Sequence, residues 1–187
     1  MRRLIGVLAF ALATSVVMIT AGPAAAEEFT CRRTVGAITV DNLRVPQGAL
    51  CVLEGTRVKG TIKVETDARL RAKRVEVIGN VQAENAAGVV VAASSRVGGS
   101  VQVVQGGRAR VAGSRITGDV LYDENNRFLR VVRNVVGGNV QAFQNTGGLE
   151  IANNRIDGNL QCKENHPRPT GGGNIVQGNK EDQCASL

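Results

Sequence analysis

One short phrase, an aliphatic residue two places before a glycine and another two places after it, returns along this chain as RVKGTI, RVGGSV, RITGDV and RIDGNL. Aligned on that glycine, the phrase falls at Gly60, Gly79, Gly99, Gly118, Gly138, Gly158 and Gly178, always 19 or 20 residues apart. The residues two before are Val58, Val77, Val97, Ile116, Val136, Ile156 and Val176, all β-branched. Two after stand Ile62, Val81, Val101, Val120, Val140 and Leu160, and the series ends at Lys180. A second apolar column lies nine and seven before the glycine: Cys51 and Leu53, Leu70 and Ala72, Val90 and Ala92, Ala109 and Val111, Leu129 and Val131, Leu149 and Ile151.

Alternation with period two is the strand period, so each phrase predicts a short β segment that turns alternate side chains inward. A unit of ~20 residues carrying two or three such segments cannot bury its apolar face alone and must stack on its neighbours. The expected fold is therefore all-β: a single-stranded parallel β-helix of about seven to eight ~20-residue coils. The unequal spacing favours the right-handed form over the three equal faces of hexapeptide helices.

Polar columns keep the same register. Four before the glycine stand Thr56, Val75, Ser95, Ser114, Asn134, Asn154 and Asn174. One after it come Thr61, Asn80, Ser100, Asp119, Asn139, Asn159 and Asn179. Such residues close turns by bonding nearby backbone, and stacked Asn side chains bond along a ladder. They are read as corner residues, in preference to a ligand site.

The N-terminus carries Arg2 and Arg3, an apolar run from Leu4 to Gly22, and small residues at Ala24 and Ala26. This is the pattern of a secretory signal peptide over residues 1–26, cleaved after Ala26. An uncleaved anchor is the rival reading; Thr14, Ser15 and Thr20 dilute the run, and the A-x-A site favours removal. Losing Arg2 and Arg3 lowers the formal net charge from +7 to +5. Residues 27–187 then form one domain, with 27–55 as an N-terminal capping coil and 162–187 as a disulfide-closed C-terminal cap. The expected localisation is secreted and extracellular, with no stable membrane insertion after cleavage.

Four cysteines in a secreted chain suit two disulfides. Cys31 and Cys51 lie 20 residues apart and Cys162 and Cys184 lie 22 apart, each about one coil, so the register pairs them as staples at the two ends of the stack. Metal ligation is the alternative, disfavoured because the spacing is not C-x-x-C and His166 is the sole histidine. Neither a metal nor a cofactor is expected.

Catalytic signals are sparse. His166 lies in KENHPRPTGGGN, where the repeat places no serine or carboxylate to orient it, and a surface-loop histidine is the plainer reading. The TGGGN stretch lacks the strand, lysine and helix of a phosphate-binding loop and reads as a turn. Glu84, Glu124 and Glu164 occur in alternate coils, with Gln105 and Gln144 between them. Two coils separate such carboxylates by ~10 Å, a poor fit to paired acid/base work on a sugar. Arg57, Arg96, Arg115 and Arg155 stand three before their glycines, opposite in parity to the inward residues. They predict a broken basic stripe, with Arg74 and Arg133 nearby, that suits an acidic envelope polysaccharide. A merely solvated face that blocks sideways pairing is the competing reading. There is no Trp and there are few other aromatics, whereas a carbohydrate site built on stacked rings normally uses more of them, and no nucleic-acid partner is expected.

The segment NRIDGNLQCKENHPRPTGGGNIVQGNKEDQC, Asn154 to Cys184, resembles the ending of a group of uncharacterised secreted bacterial β-solenoid repeat proteins. That resemblance implies secretion and the solenoid and carries no activity. The V-x-G-x-V spacing of Val58, Gly60 and Ile62, and of Val77, Gly79 and Val81, is similar to that of bactofilins, whose repeats build polymerising β-helices. Bactofilins are generally cytoplasmic and lack disulfide-stapled ends. The expectation is a non-enzymatic, monomeric structural or binding protein of the cell envelope. The alternatives are a polysaccharide lyase or hydrolase and a self-assembling bactofilin-like protein.

Overall fold

The computed structural model describes residues 27–187, so the leader expected over 1–26 lies outside the described residues. Every regular element among them is a β-strand, and no helix there is long and apolar enough to cross a membrane. The chain winds through three parallel sheets in strict rotation, giving ladders of nine, eight and eight strands over about seven turns. Sheet one begins with Glu28–Thr30, sheet two with Thr34–Val35 and sheet three with Thr39–Val40. The parallel β-helix expected from the repeat is the fold.

The glycine phrase marks the corner between sheets three and one. Val58, Val77, Val97, Ile116, Val136 and Ile156 form one inward ladder of sheet three, and Ile62, Val81, Val101, Val120, Val140 and Leu160 form one of sheet one. All twelve are fully buried. The core is thus a set of aliphatic columns, whose branched side chains pack well on pleated surfaces. Tyr122 is its one large aromatic, and its hydroxyl donates to the Arg130 carbonyl at 3.2 Å. Burial pushes that phenol well above its ordinary range.

One coil departs from the expected register. The sequence alignment put Val90 and Ala92 inward, but Val89 and Val91 are buried and pair with Leu70 and Ala72, leaving Val90 and Ala92 on the outside. The cause is an extra residue in the following turn, where Ala93 and Ser94 both adopt left-handed φ angles of 59° and 63°. Other coils pass this corner with one such residue, such as Arg74 or Gly113. Because side chains alternate with period two, a one-residue insertion exchanges the faces of the strand before it.

Glycines of the phrase are needed for axial closeness. At Gly118 a Cβ would sit 2.5 Å from Ser100 Oγ and 3.0 Å from the Gly99 carbonyl in the coil below, so the corner backbones touch. The phrase glycine therefore faces the neighbouring corner and is only half-buried, outside the aliphatic core.

Buried amides lock the coils together. Asn134 Nδ2 donates to Asn154 Oδ1 at 3.0 Å and to the Val111 carbonyl, and Asn154 repeats the pattern on Asn174 and Val131. Each Oδ1 also accepts the main-chain N–H one coil back, as Asn154 does from Asn134. A second ladder, Asn125, Asn145 and Asn165, does the same between sheets one and two and was not expected from the sequence. It ends on Gln183, whose Oε1 accepts from Asn165 N and Nδ2 and whose Nε2 returns a bond to the Asn165 carbonyl. The corner after the glycine runs in the opposite sense: Asn139 and Asn159 accept from the N–H of the next coil at 2.8 Å.

The cysteines pair as expected, Cys31 with Cys51 and Cys162 with Cys184, with Cα separations of 5.5 and 5.2 Å. At the C-terminal end, the turn after Asp182 carries Cys184 and brings Leu187 into the core cluster. The TGGGN segment, expected as a turn, supplies Thr170–Gly172, the last strand of sheet two. Gly171 is required there because its φ is 135° and a Cβ would strike the Ile151 carbonyl.

Two stability measurements test this account. Asn145→Ala should lower unfolding free energy by roughly 3 kcal/mol, since it strands a buried N–H and a buried carbonyl, whereas Asn159→Ala at the wetter corner should cost about 1 kcal/mol or less. Gly118→Val should depress Tm by several degrees, while Gly36→Ala, whose added methyl meets nothing within 4 Å, should leave it unchanged or slightly raised.

Candidate functional site

The four expected arginines do share a column on sheet three, which reads Thr39, Arg57, Glu76, Arg96, Arg115, Val135, Arg155 and Ile175. Two of them are compensated. Arg57 Nη1 lies 2.6 Å from Glu76 Oε2, and Arg155 Nε lies 3.8 Å from Asp157 Oδ1. Arg96 and Arg115 stand on adjacent rungs, and among the described residues neither has a carboxylate within 4.0 Å. The stripe thus narrows to one uncompensated pair bracketed by Glu76 and Val135. Arg74, at the corner, is drawn to Glu54 at 3.2 Å.

A denser basic face lies on sheet two. Strand Arg69–Lys73 points Arg69 and Arg71 outward around the inward Leu70, and strand Arg108–Ala112 points Arg108 and Arg110 outward around Ala109. Between these coils, Gly88 and Val90 occupy the outward positions. Two arginine-bearing rungs therefore flank a low, small-residue rung, and stand about 10 Å apart at two strand spacings. Arg127 adds a fifth cation from the turn beside Arg108. Among the described residues none of these five has a carboxylate within 4.0 Å, whereas Arg130 on the next rung has Glu150 Oε2 at 2.7 Å from its Nε. Arg69 with Arg71, and Arg108 with Arg110, project from the same face of one strand, with Arg127 beside Arg108, and like charges gathered this way repel, so this cluster costs stability until an anion or salt screens it.

Sequence reasoning missed this face because it followed the single column three before each glycine. Its signal was present: RLRAK at 69–73 and RARVA at 108–112 each set two cations two residues apart, so both must share one face of a strand.

Sheet one carries the carboxylates. Glu84 pairs with Val104 and therefore aligns with Asp123, while Asn85 holds the corner position that the sequence assigned to Glu84. Gln105, Glu124, Gln144 and Glu164 do share that corner, each at left-handed φ, and bond in pairs: Gln105 to Glu124 at 2.9 Å and Gln144 to Glu164 at 3.0 Å. The amide partners occupy these carboxylates as acceptors. A concavity of about 660 Å³ on this sheet includes Glu65 and Glu84, but Glu65 is already engaged by Arg44 and by the Gln47 N–H. His166 is exposed, its Nδ1 lying 2.8 Å from the Asn165 carbonyl. Among the described residues no group of three or more His, Cys, Asp or Glu side chains converges as metal ligands would.

Asp123 has a perturbed carboxyl. Partial burial between Val104 and Phe143, with the nearby Glu124 charge second, raises its pKa above the ordinary aspartate value. Comparison of the chain with family models, with curated proteins and with solved structures returns no match.

The sign of the Asp123 shift makes a prediction. Its folded form holds the proton more tightly than the unfolded chain does, so its charge costs stability at neutral pH and the cost disappears as pH falls below the unfolded value of about 3.9. Asp123→Asn should therefore raise Tm at neutral pH, and the gain should shrink as thermal melts are repeated toward pH 3.

Proposed function

We propose that this chain is a non-enzymatic, exported solenoid that binds an extended acidic polysaccharide of the cell envelope along the outer surface of sheet two. Paired cysteines with no free thiol indicate an oxidising, non-cytoplasmic environment, and the signal-like leader agrees with export. The observation that carries the binding reading is the uncompensated set Arg69, Arg71, Arg108, Arg110 and Arg127 on one face of the solenoid.

Rigidity matters because the arginines are spaced by the ladder. The stems of Arg69, Arg71, Arg108 and Arg110 rise from strands held on both sides by backbone hydrogen bonds, so little backbone entropy remains to be lost there on binding. Guanidinium forks suit bidentate contact with carboxylate or sulfate groups. A polymer lying parallel to the solenoid axis would meet cationic rungs about 10 Å apart over the low Gly88 and Val90 rung. The pair Arg96 and Arg115 on sheet three is a lesser site of the same kind.

Against hydrolysis or lysis of such a polymer stands the state of the carboxylates: Glu124 and Glu164 are bonded to glutamines, Glu65 to an arginine, and Asp123 lies on a different sheet from the basic face. End-to-end polymerisation is the other alternative. The C-terminal turn, tethered by Cys162 to Cys184 and seated with Leu187 in the core, occupies the surface on which another coil would stack.

The test is retention of a polyuronate at graded salt. Replacing Arg69, Arg71, Arg108 and Arg110 together by Gln should weaken binding at least about tenfold at 0.01 M ionic strength, where the Debye length is about 30 Å, and the wild-type advantage should fade toward 1 M. Tm should hold or rise in the variant, because like-charge repulsion is relieved. Equal weakening by Arg96→Gln with Arg115→Gln would move the site to sheet three, and release of shortened uronate products would make the chain an enzyme.

A further inference from the structure

Phe128 is 51% exposed although the chain has few aromatic residues and buries most of its large apolar side chains. It occupies the rung next to Arg108 on the basic face of sheet two, at the outward position before the inward Leu129. One side of its ring leans on Gly148: a Cβ there would lie 3.3 Å from Cδ2 and 3.6 Å from Cε2, with Pro167 beyond at 3.8 Å. The side chain is thus buttressed from the C-terminal direction by a residue with no side chain of its own. Toward the N-terminal direction it borders a concave site of about 510 Å³ over Val90, into which Arg108, Arg110, Asn126 and Arg127 also face.

Arg108 is placed by a similar device. A Cβ at Gly88 would come within 3.0 Å of Arg108 Cγ and 3.6 Å of its Cδ, so the arginine stem lies across the notch that the glycine leaves. Three uncompensated guanidinium groups and one half-exposed aromatic ring therefore line a single hollow whose floor is apolar. Solvent has little to gain from this arrangement, since an exposed ring and crowded like charges are both unfavourable in water.

We propose that this hollow, resting on the polyanion reading above, is a discrete subsite for one hexuronate ring of the bound polysaccharide. The apolar face of a pyranose presents C–H bonds that meet the electron-rich face of Phe128, while Arg108, Arg110 and Arg127 receive the carboxylate and Asn126 bonds a ring hydroxyl. A polyphosphate satisfies the arginines but offers nothing to the ring. Single-stranded nucleic acid would use stacking platforms in succession, and this face sets one aromatic, Phe128, among five uncompensated arginines and the carboxylate-paired Arg130. The acidic sugar is the occupant that uses both halves of the site. Sheet two thereby acquires a register: a polymer bound along it would be anchored at Phe128 and held electrostatically over the rungs of Arg69 and Arg71.

The experiment compares wild type, Phe128→Ala and Phe128→Tyr for binding to an oligogalacturonate, to inorganic polyphosphate and to single-stranded DNA by calorimetry at one ionic strength. Phe128→Ala should weaken oligogalacturonate binding by about tenfold while leaving polyphosphate affinity within about twofold, and Phe128→Tyr should retain the wild-type preference. In the unmodified protein, the aromatic proton resonances of Phe128 should shift on adding oligogalacturonate and stay still on adding polyphosphate, a readout that needs no variant to fold. If both anions bind but Phe128→Ala affects neither, or the ring resonances do not respond to the sugar, the subsite is wrong and the basic face stands. Wild-type protein that binds no polyanion would remove the subsite and the polyanion reading together. DNA binding with the stronger dependence on Phe128 would assign the hollow to a base.

Discussion

Everything in this protein hangs on one constraint: each coil must sit directly above the last, close enough for its backbone groups to bond along the axis. Parallel strands two to five residues long have little stability alone, and no coil has a core of its own. The buried amide ladders convert this weak pairing into a fixed register. In the ladder through Asn125, Asn145 and Asn165, each carboxamide answers a main-chain N–H of the preceding coil with its oxygen and bonds both the ladder and a carbonyl with its nitrogen. Such groups are stabilising only when every partner is present, so a slip of one residue would leave them buried and unpaired.

The same constraint dictates the composition. Corners that touch require glycine where a Cβ would strike the coil beneath, which accounts for Gly118 and for Gly79, whose Cβ would lie 2.7 Å from the Gly60 carbonyl oxygen. Ladders of like residues favour β-branched aliphatics, which interlock when stacked, and make large aromatics awkward because each would need room in several coils at once. Tyr122 is admitted between Val103 and Ala142, where the smaller alanine stands on one side. The ends, where the periodicity stops, are closed by other means: one disulfide at each tip, and at the C-terminus Gln183 in place of a further Asn and Leu187 in place of a further coil.

A scaffold that fixes its strands this firmly has freedom only on its outward positions, and the three faces use that freedom differently. Sheet one carries glutamine and carboxylate ladders that bond to each other, as Gln141, Gln161 and Glu181 do. Sheet three balances much of its arginine column with Glu76 and Asp157. Sheet two leaves its central cations without partners and sets a half-exposed ring beside them. Uncompensated charge on a rigid face is costly in isolation, and that cost is what singles this face out as the proposed binding surface.

The recurrence of the glycine phrase determined, without any coordinates, the parallel solenoid, the inward aliphatic columns, the Asn134 ladder and the pairing of Cys31 with Cys51 and Cys162 with Cys184. These are legible because a period of one turn turns sequence spacing directly into axial neighbourhood. Tertiary structure alone decided where the count slips. The left-handed pair Ala93 and Ser94 turns Val90 outward, and Asn85 takes the corner assigned to Glu84, because turns of three or four residues close equally well and a period of two converts either choice into an opposite face. The hollow at Phe128 belongs to the same class. Arg108 comes from one coil and the adjacent Arg127 and Phe128 from the next, through turns of unequal length, so whether they share one cavity is a property of how the turns close.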